Sequence, residues 1–250
     1  MFMPPTSFDL ADARCRSPPP VPAARRLLVS WALFPWGPTV AVRTRVKICG
    51  ITRLDDALRA ADLGADAIGL VFYPKSPRYL DPAAAARWIH RVPAFVTVVG
   101  LFLDAEPSTV EGALSALPLE LLQFHGRESP GDCLRYGRPY IKALGMGGET
   151  DMLAEARAHW LARGMLLDSH APGEAGGRGI GFAWDRIPAE RPLPLILAGG
   201  LNAGNVALAI RQVRPMAVDV SSGVESAPGV KDSLRMHDFM ESVRRADAES

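Results

Sequence analysis

From Arg45 onward the chain alternates short apolar, β-branched runs with longer helix-like runs, and it does so eight times. Parallel strands need a long crossover between them, and a helix is the usual crossover, so this order leaves few architectures open. The β-type runs are Val46 to Cys49, Ala67 to Phe72, Phe95 to Phe102, Leu121 to Phe124, Tyr140 to Leu144, Met165 to Asp168, Leu195 to Ala198 and Ala217 to Val220. Between and after them the pattern predicts helices over Leu54 to Leu63, Pro82 to His90, Pro107 to Leu117, Pro130 to Tyr136, Asp151 to Arg163, Asn202 to Val213 and Ser233 to Arg245. The sixth connection, Ser169 to Pro194, reads as loop with one helical turn near Trp184. Asp81-Pro82, Glu106-Pro107 and Ser129-Pro130 each set a capping side chain before a proline whose missing N–H is harmless in a first turn. Eight such units in about 200 residues fit the small end of the α/β class known as the (β/α)8 or TIM barrel. An open doubly wound sheet is the alternative, but Cys49-Gly50-Ile51-Thr52 offers no G-x-G-x-x-G after the first strand.

The first 44 residues differ. Pro4, Pro5, Pro18, Pro19, Pro20, Pro22, Pro35 and Pro38 punctuate a stretch without period, which is expected to be a disordered N-terminal extension to a catalytic barrel at 45–246. Arg25-Arg26 ahead of Leu27 to Trp36 has the order of a signal peptide, but Pro35 interrupts the run and no small-residue cleavage site follows. The run is also shorter than the ~20 apolar residues that span a bilayer. A start codon assigned too far upstream is the other reading of this segment.

Lys plus Arg number 28 against 27 Asp plus Glu, a net charge of +1, so no long-range field draws nucleic acid or an anionic membrane. The three cysteines, Cys15, Cys49 and Cys133, have neither disulfide nor metal spacing and suit a reducing cytoplasm. Recognition must come from local sites.

In a barrel those sites are built where strands end at their carboxyl side. The first strand delivers Cys49, the second runs into Phe72 to Tyr79 with Arg78, the fourth delivers Gln123 and His125, and the sixth delivers Asp168. The seventh ends in Gly199-Gly200 before Asn202, and the eighth in Asp219, Ser221, Ser222 and Gly223. Paired small residues at these last two loops read as a phosphate cradle, since backbone N–H groups can close on an anion there. Gly-Gly and Ser-Ser also make ordinary turns; it is their placement at both loops that favours phosphate. Asp168 closes the apolar run Met165-Leu166-Leu167, and desolvation there would favour a protonated general acid. Cys49 is either a base facing it across the mouth or a buried inert cysteine. His90, His159 and His237 fall in helices away from the mouth and read as surface or packing residues. His125 suits a substrate contact, and His170 competes with Asp168 for the acid role from a less fixed position.

Val46-Lys47-Ile48-Cys49-Gly50-Ile51-Thr52, Gly64-Ala65-Asp66-Ala67, Phe72-Tyr73-Pro74-Lys75-Ser76-Pro77-Arg78-Tyr79, Gln123-Phe124-His125-Gly126, Leu166-Leu167-Asp168, Ala198-Gly199-Gly200-Leu201-Asn202 and Asp219-Val220-Ser221-Ser222-Gly223-Val224-Glu225 follow in order at these strand ends. Together they resemble the phosphoribosylanthranilate isomerases of tryptophan biosynthesis, over Arg45 to about Val243. The resemblance implies an Amadori rearrangement of N-(5′-phosphoribosyl)anthranilate to the 1-deoxyribulose 5-phosphate product, with no cofactor and no metal. It implies Asp168 as the acid that opens the ribose ring, Cys49 as the base at C2′, and Arg78 as the fork for the anthranilate carboxylate. The partner is then a small phosphorylated substrate, and the protein a cytoplasmic monomer, with a homodimer as the alternative.

The chain departs from the family after Asp168, where Arg178 replaces a small hydroxyl residue and Ala183 an aspartate. The lost aspartate removes a cap worth ~1 kcal/mol from the turn at Trp184. The alternatives are a related sugar-phosphate isomerase of histidine biosynthesis, which would carry aspartate where Cys49 stands, and a non-catalytic barrel subunit. Because residues before Arg45 show no packing pattern, their deletion should leave melting temperature and activity unchanged, within ±0.5 kcal/mol in stability. A clear fall in melting temperature would mean that the extension docks on the barrel.

Overall fold

The structure is a computed structural model that describes residues 43–147, 150–169 and 182–249. Eight strands, β1 Arg45–Cys49, β2 Ala67–Val71, β3 Thr97–Phe102, β4 Leu121–Phe124, β5 Tyr140–Gly145, β6 Met165–Asp168, β7 Leu195–Leu197 and β8 Ala217–Val220, pair in sequence order into a closed parallel barrel. The seam is β1 on β8, where Lys47 stands opposite Asp219. The helices are α1 Leu54–Asp62, α2 Pro82–Ala86, α3 Pro107–Ala116, α4 Pro130–Leu134, α5 Met152–Ala158, α6 Val206–Val213 and α7 Ser233–Ala248.

Strand residues alternate between two environments, as a pleat requires. Ile48, Ile68, Val98, Leu122, Leu167 and Val218 belong to the large shell between strands and helices. Inside the barrel, Ile141, Ala143, Leu166, Ile196, Ala198 and Ala217 form a separate apolar cluster. The same inward register carries Lys47 and Cys49 on β1, Gln123 on β4, Asp168 on β6 and Asp219 on β8, all buried. The interior is therefore an apolar plug topped by polar side chains at the carboxyl ends.

Several boundaries differ from the sequence reading, each for a local reason. Phe95 lies outside β3, at a positive φ of 70° and fully exposed, because Val96 N–H bonds back to Pro93 and turns the chain. The run from Pro82 breaks after α2, and a 3-10 turn at Ile89–Arg91 carries His90. The run from Asp151 stops at Ala158, beyond which His159 turns inward to Tyr140. The helix expected from Asn202 starts at Val206, since Asn202 bonds its own loop instead. Asp81 and Ser129 cap as expected, Ser129 in a capping box with Asp132, whereas Glu106 makes no side-chain cap. A hairpin of β9 Glu225–Ala227 and β10 Val230–Lys231 was not foreseen, although Pro228-Gly229 is a turn signal and Gly229 has φ 77°.

Arg43 and Thr44 belong with the barrel: Arg43 pairs with Asp66, and Thr44 bonds the Asp247 carboxylate of α7 through its N–H at 2.9 Å and hydroxyl at 2.7 Å. A neutral truncation is thus better cut before Arg43. The rest of the extension, and His170 and Arg178, lie outside the described residues.

His159 is buried with its Nδ1 3.2 Å from the Tyr140 hydroxyl. Burial, with a smaller push from Lys142, lowers its pKa from 6.5 to about 4. A group lowered in the folded state stabilises above its unfolded pKa, and that contribution is lost as pH falls toward the folded value. Unfolding free energy should therefore decline between pH 6.5 and about pH 4, and His159→Gln should flatten that slope. Equal slopes for both proteins in urea titrations would contradict this account.

Candidate active site

The polar top of the barrel opens into a cleft whose empty space, counted out to open solvent, is ≈ 680 Å³. Cys49, Arg78, Gln123, His125, Asp168, Gly199, Gly200, Ser221 and Ser222 all line it. Asn202 and Gly223, read from sequence as phosphate contacts, do not. Asn202 holds the β7 loop: its Oδ1 accepts from Gly204 N–H at 2.9 Å and its Nδ2 donates to the Gly200 carbonyl at 3.3 Å. Gly223 lets the β8 loop press on the β7 loop, since a Cβ there would overlap the Leu201 carbonyl oxygen.

Asp168 has a hydrogen bond at one oxygen and the His125 ring near the other. Its Oδ1 accepts from Ser169 N–H at 2.6 Å, and its Oδ2 faces His125 Nε2 at 3.7 Å. Behind the ring, Gln123 Nε2 lies 3.0 Å from His125 Nδ1. An amide nitrogen can only donate, so Nδ1 accepts and the neutral ring carries its proton on Nε2, toward Asp168. Sequence reading placed His125 beside substrate and did not foresee this pairing. Gly199, at φ 81°, closes the β7 loop against Ser169, where a Cβ would sit 2.6 Å from the Ser169 nitrogen.

Cys49 is 5 % exposed and sits at the end of β1 against Gly69 of β2. Burial pushes its thiol above the ordinary value, and Lys47 beside it pulls in the opposite direction. Lys47 itself donates to Asp219 Oδ1 at 2.8 Å across the seam.

Arg78 reaches the cleft because the loop after β2 doubles back. Ser76 N–H bonds the Tyr73 carbonyl, Tyr79 N–H bonds the Ser76 carbonyl, and Leu80 N–H returns to Val71. The guanidinium then meets Glu225 on two parallel bonds, Nε to Oε1 at 2.9 Å and Nη2 to Oε2 at 2.7 Å. Lys231 of β10 adds 2.7 Å to the same Oε1 and bonds the Ser221 carbonyl at 3.2 Å. Burial alone would raise the Glu225 carboxyl, but Arg78 and Lys231 outweigh it and hold it below the usual carboxylate range. The unforeseen hairpin is thus what anchors Arg78.

Two buried polar atoms in this region, Gln123 Oε1 and Ser221 Oγ, have no hydrogen-bond partner among the described residues. Buried polar groups are ordinarily satisfied, so a polar ligand in the cleft is the natural complement for the Ser221 hydroxyl. Asp219 was read from sequence as a strand-end residue without a role, Lys47 and Glu225 stood only within the family motifs, and Lys231 was not singled out. Lys47 and Asp219 could have been found from the inward register of Cys49 and Asp168; Glu225 and Lys231 carry no local signal.

Residues 46–242 match the family model described as N-(5′phosphoribosyl)anthranilate (PRA) isomerase. The N-(5′-phosphoribosyl)anthranilate isomerase of Thiobacillus denitrificans is 54 % identical over 200 residues, 80 % of this chain and 98 % of that protein. A phosphoribosyl anthranilate isomerase structure from Thermotoga maritima superposes with TM-score 0.70 at 42 % identity, covering 81 % of this chain and 99 % of its own. A second isomerase structure, in complex with reduced 1-(o-carboxyphenylamino)-1-deoxyribulose 5-phosphate, gives TM-score 0.67 at 40 % identity over 81 % and 99 % of the two chains.

Gly223→Ala should cost at least ~1–3 kcal/mol, because the added methyl meets backbone rather than a side chain that can swing away. Urea denaturation measures it, and a change within ±0.5 kcal/mol would mean that the two loops are not packed as described.

Proposed function

The chain belongs to the N-(5′-phosphoribosyl)anthranilate isomerase family, and on that premise we propose that Cys49 and Asp168 are the base and acid of its reaction. The protein is an isomerase of tryptophan biosynthesis, acting on N-(5′-phosphoribosyl)anthranilate. The observation that carries the assignment is the inward register that puts Cys49 of β1 and Asp168 of β6 into one cleft with Arg78 and the two small-residue loops.

Asp168 protonates the ribose ring oxygen, the C1′–O bond breaks, and the anthranilate nitrogen takes up the developing charge as a Schiff base. The Cys49 thiolate then removes the C2′ proton, and the electron pair neutralises the Schiff base to give an enolamine. Protonation at C1′ with loss of the enol proton yields the ketone. Arg78 holds the anthranilate carboxylate, a planar anion matched to a guanidinium, and its anchorage on Glu225 limits the rotamers it must give up on binding. Gly199, Gly200, Ser221 and Ser222 receive the phosphate, with Asn202 and Gly223 shaping the loops that do so. Gln123 and His125 wall the sugar beside Asp168.

No described helix is long and apolar enough to cross a membrane. Cys49 and Cys133 are free thiols, which supports a reducing compartment, the cytoplasm. No observation favours the histidine-pathway isomerase or the non-catalytic barrel.

Loss of substrate fluorescence under saturating conditions tests the roles. Cys49→Ser and Asp168→Asn should each lower kcat by ~10²–10⁴, the usual worth of a positioned acid or base, with KM little changed. Either variant keeping more than about a tenth of wild-type turnover, with chemistry rate-limiting, would remove that residue from its role.

A further inference from the structure

Lys47 has no task in the reaction as assigned, yet it is a cation only 5 % exposed inside the barrel. It precedes Cys49 by two positions on β1, so both side chains leave the strand on its inner face. Its Nζ donates to Asp219 Oδ1 at 2.8 Å, which leaves further N–H donors on the ammonium. Gly69 of β2 locates the other direction: a Cβ there would lie 2.7 Å from Cys49 Sγ and 3.1 Å from Lys47 Nζ, so thiol and ammonium converge on one point of the neighbouring strand. Both atoms thus lie against the same point of β2, close enough for a direct Coulomb interaction in the buried interior.

We propose that Lys47 is a positioning residue for the base: its ammonium, anchored by Asp219, is the counter-ion of the Cys49 thiolate. The inference rests on Cys49 being the base. The thiol loses its proton to solvent to become the thiolate, accepts the C2′ proton of the substrate, and must shed that proton before the next turnover. A thiolate in so buried a place needs a fixed cation, because water cannot supply one. The charged groups facing Cys49 are Lys47 on its own strand, Asp219 on β8 and Lys231 on β10, with Asp168 of β6 and Arg78 after β2 in the same cleft. Burial raises the thiol most, Lys47 and Lys231 lower it, and Asp219 raises it. The ion pair with Asp219 and the pull of Cys49 keep Lys47 charged against its own burial.

The rate of iodoacetamide alkylation, followed on the Cys49 peptide by mass spectrometry from about pH 6 to pH 11, reads the thiolate directly. Lys47→Met removes the cation in nearly the same shape and should move the alkylation midpoint up by about one pH unit or more, a tenfold slower reaction at fixed lower pH. Asp219→Asn removes the competing anion while leaving the lysine and should move the midpoint down. Opposite shifts support the proposal. An unmoved midpoint in Lys47→Met, or shifts of the same sign in both variants as general loosening would give, overturns it. If Lys47→Met does not fold, the sign in Asp219→Asn decides alone, and an upward or absent shift there overturns the pairing. Cys49→Ser turnover separates the two claims: an active serine variant ends the base assignment, whereas the alkylation midpoints still measure the lysine–thiol pairing.

Discussion

A lysine on β1 facing an aspartate on β8, both buried, sits at the seam where the barrel closes on itself. Neither charge is tolerable alone in that interior, and removing one partner of such a pair typically costs ~3–5 kcal/mol. The pair therefore ties the first strand to the last at the height of the chemistry. Everything above it depends on that register, because a slip of one residue would exchange Lys47 and Cys49 for Ile48 and turn the site outward.

Below the pair, Ile141, Leu166, Ile196 and Ala217 fill the barrel and keep water out from beneath the site. Above it, each strand end contributes a polar residue where the pleat points inward. The loops then bring in what the strands cannot: the doubled-back segment after β2 supplies Arg78, and the β9–β10 hairpin supplies its anchor in Glu225 and Lys231. The closed barrel thus brings Cys49 and Asp168 at its strand ends into one cleft with Arg78 from a loop at its rim.

What was legible in the sequence followed from short-range physics. Short apolar, β-branched runs between helix-like runs located all eight strands, and prolines after Asp81 and Ser129 located two helix starts with their caps. That Cys49, Asp168 and the two small-residue loops would line one cleft was legible because a parallel barrel gathers its strand ends at one face. That the Asn202 side chain bonds its own loop was not legible, since such a residue leaves the same trace in the sequence as one reaching for a ligand. Arg78 and Glu225 are 147 residues apart, and no local pattern announces a contact of that span. His125 against Asp168 was hidden for the same reason, as it depends on how far two non-adjacent strands stand apart across a closed barrel. The end of the helix run at Ala158 was set by tertiary contact, His159 turning to Tyr140, over the local helical preference.

The most direct test of the assignment is a crystal structure of this chain with reduced 1-(o-carboxyphenylamino)-1-deoxyribulose 5-phosphate, the compound bound in one structural relative. The account predicts the phosphate on the backbone of Gly199–Gly200 and Ser221–Ser222, the carboxylate on Arg78, and C2′ within about 3–3.5 Å of Cys49 Sγ, the distance of a reactive approach. A ligand whose phosphate lies off those loops, or whose C2′ is turned away from Cys49, would contradict it.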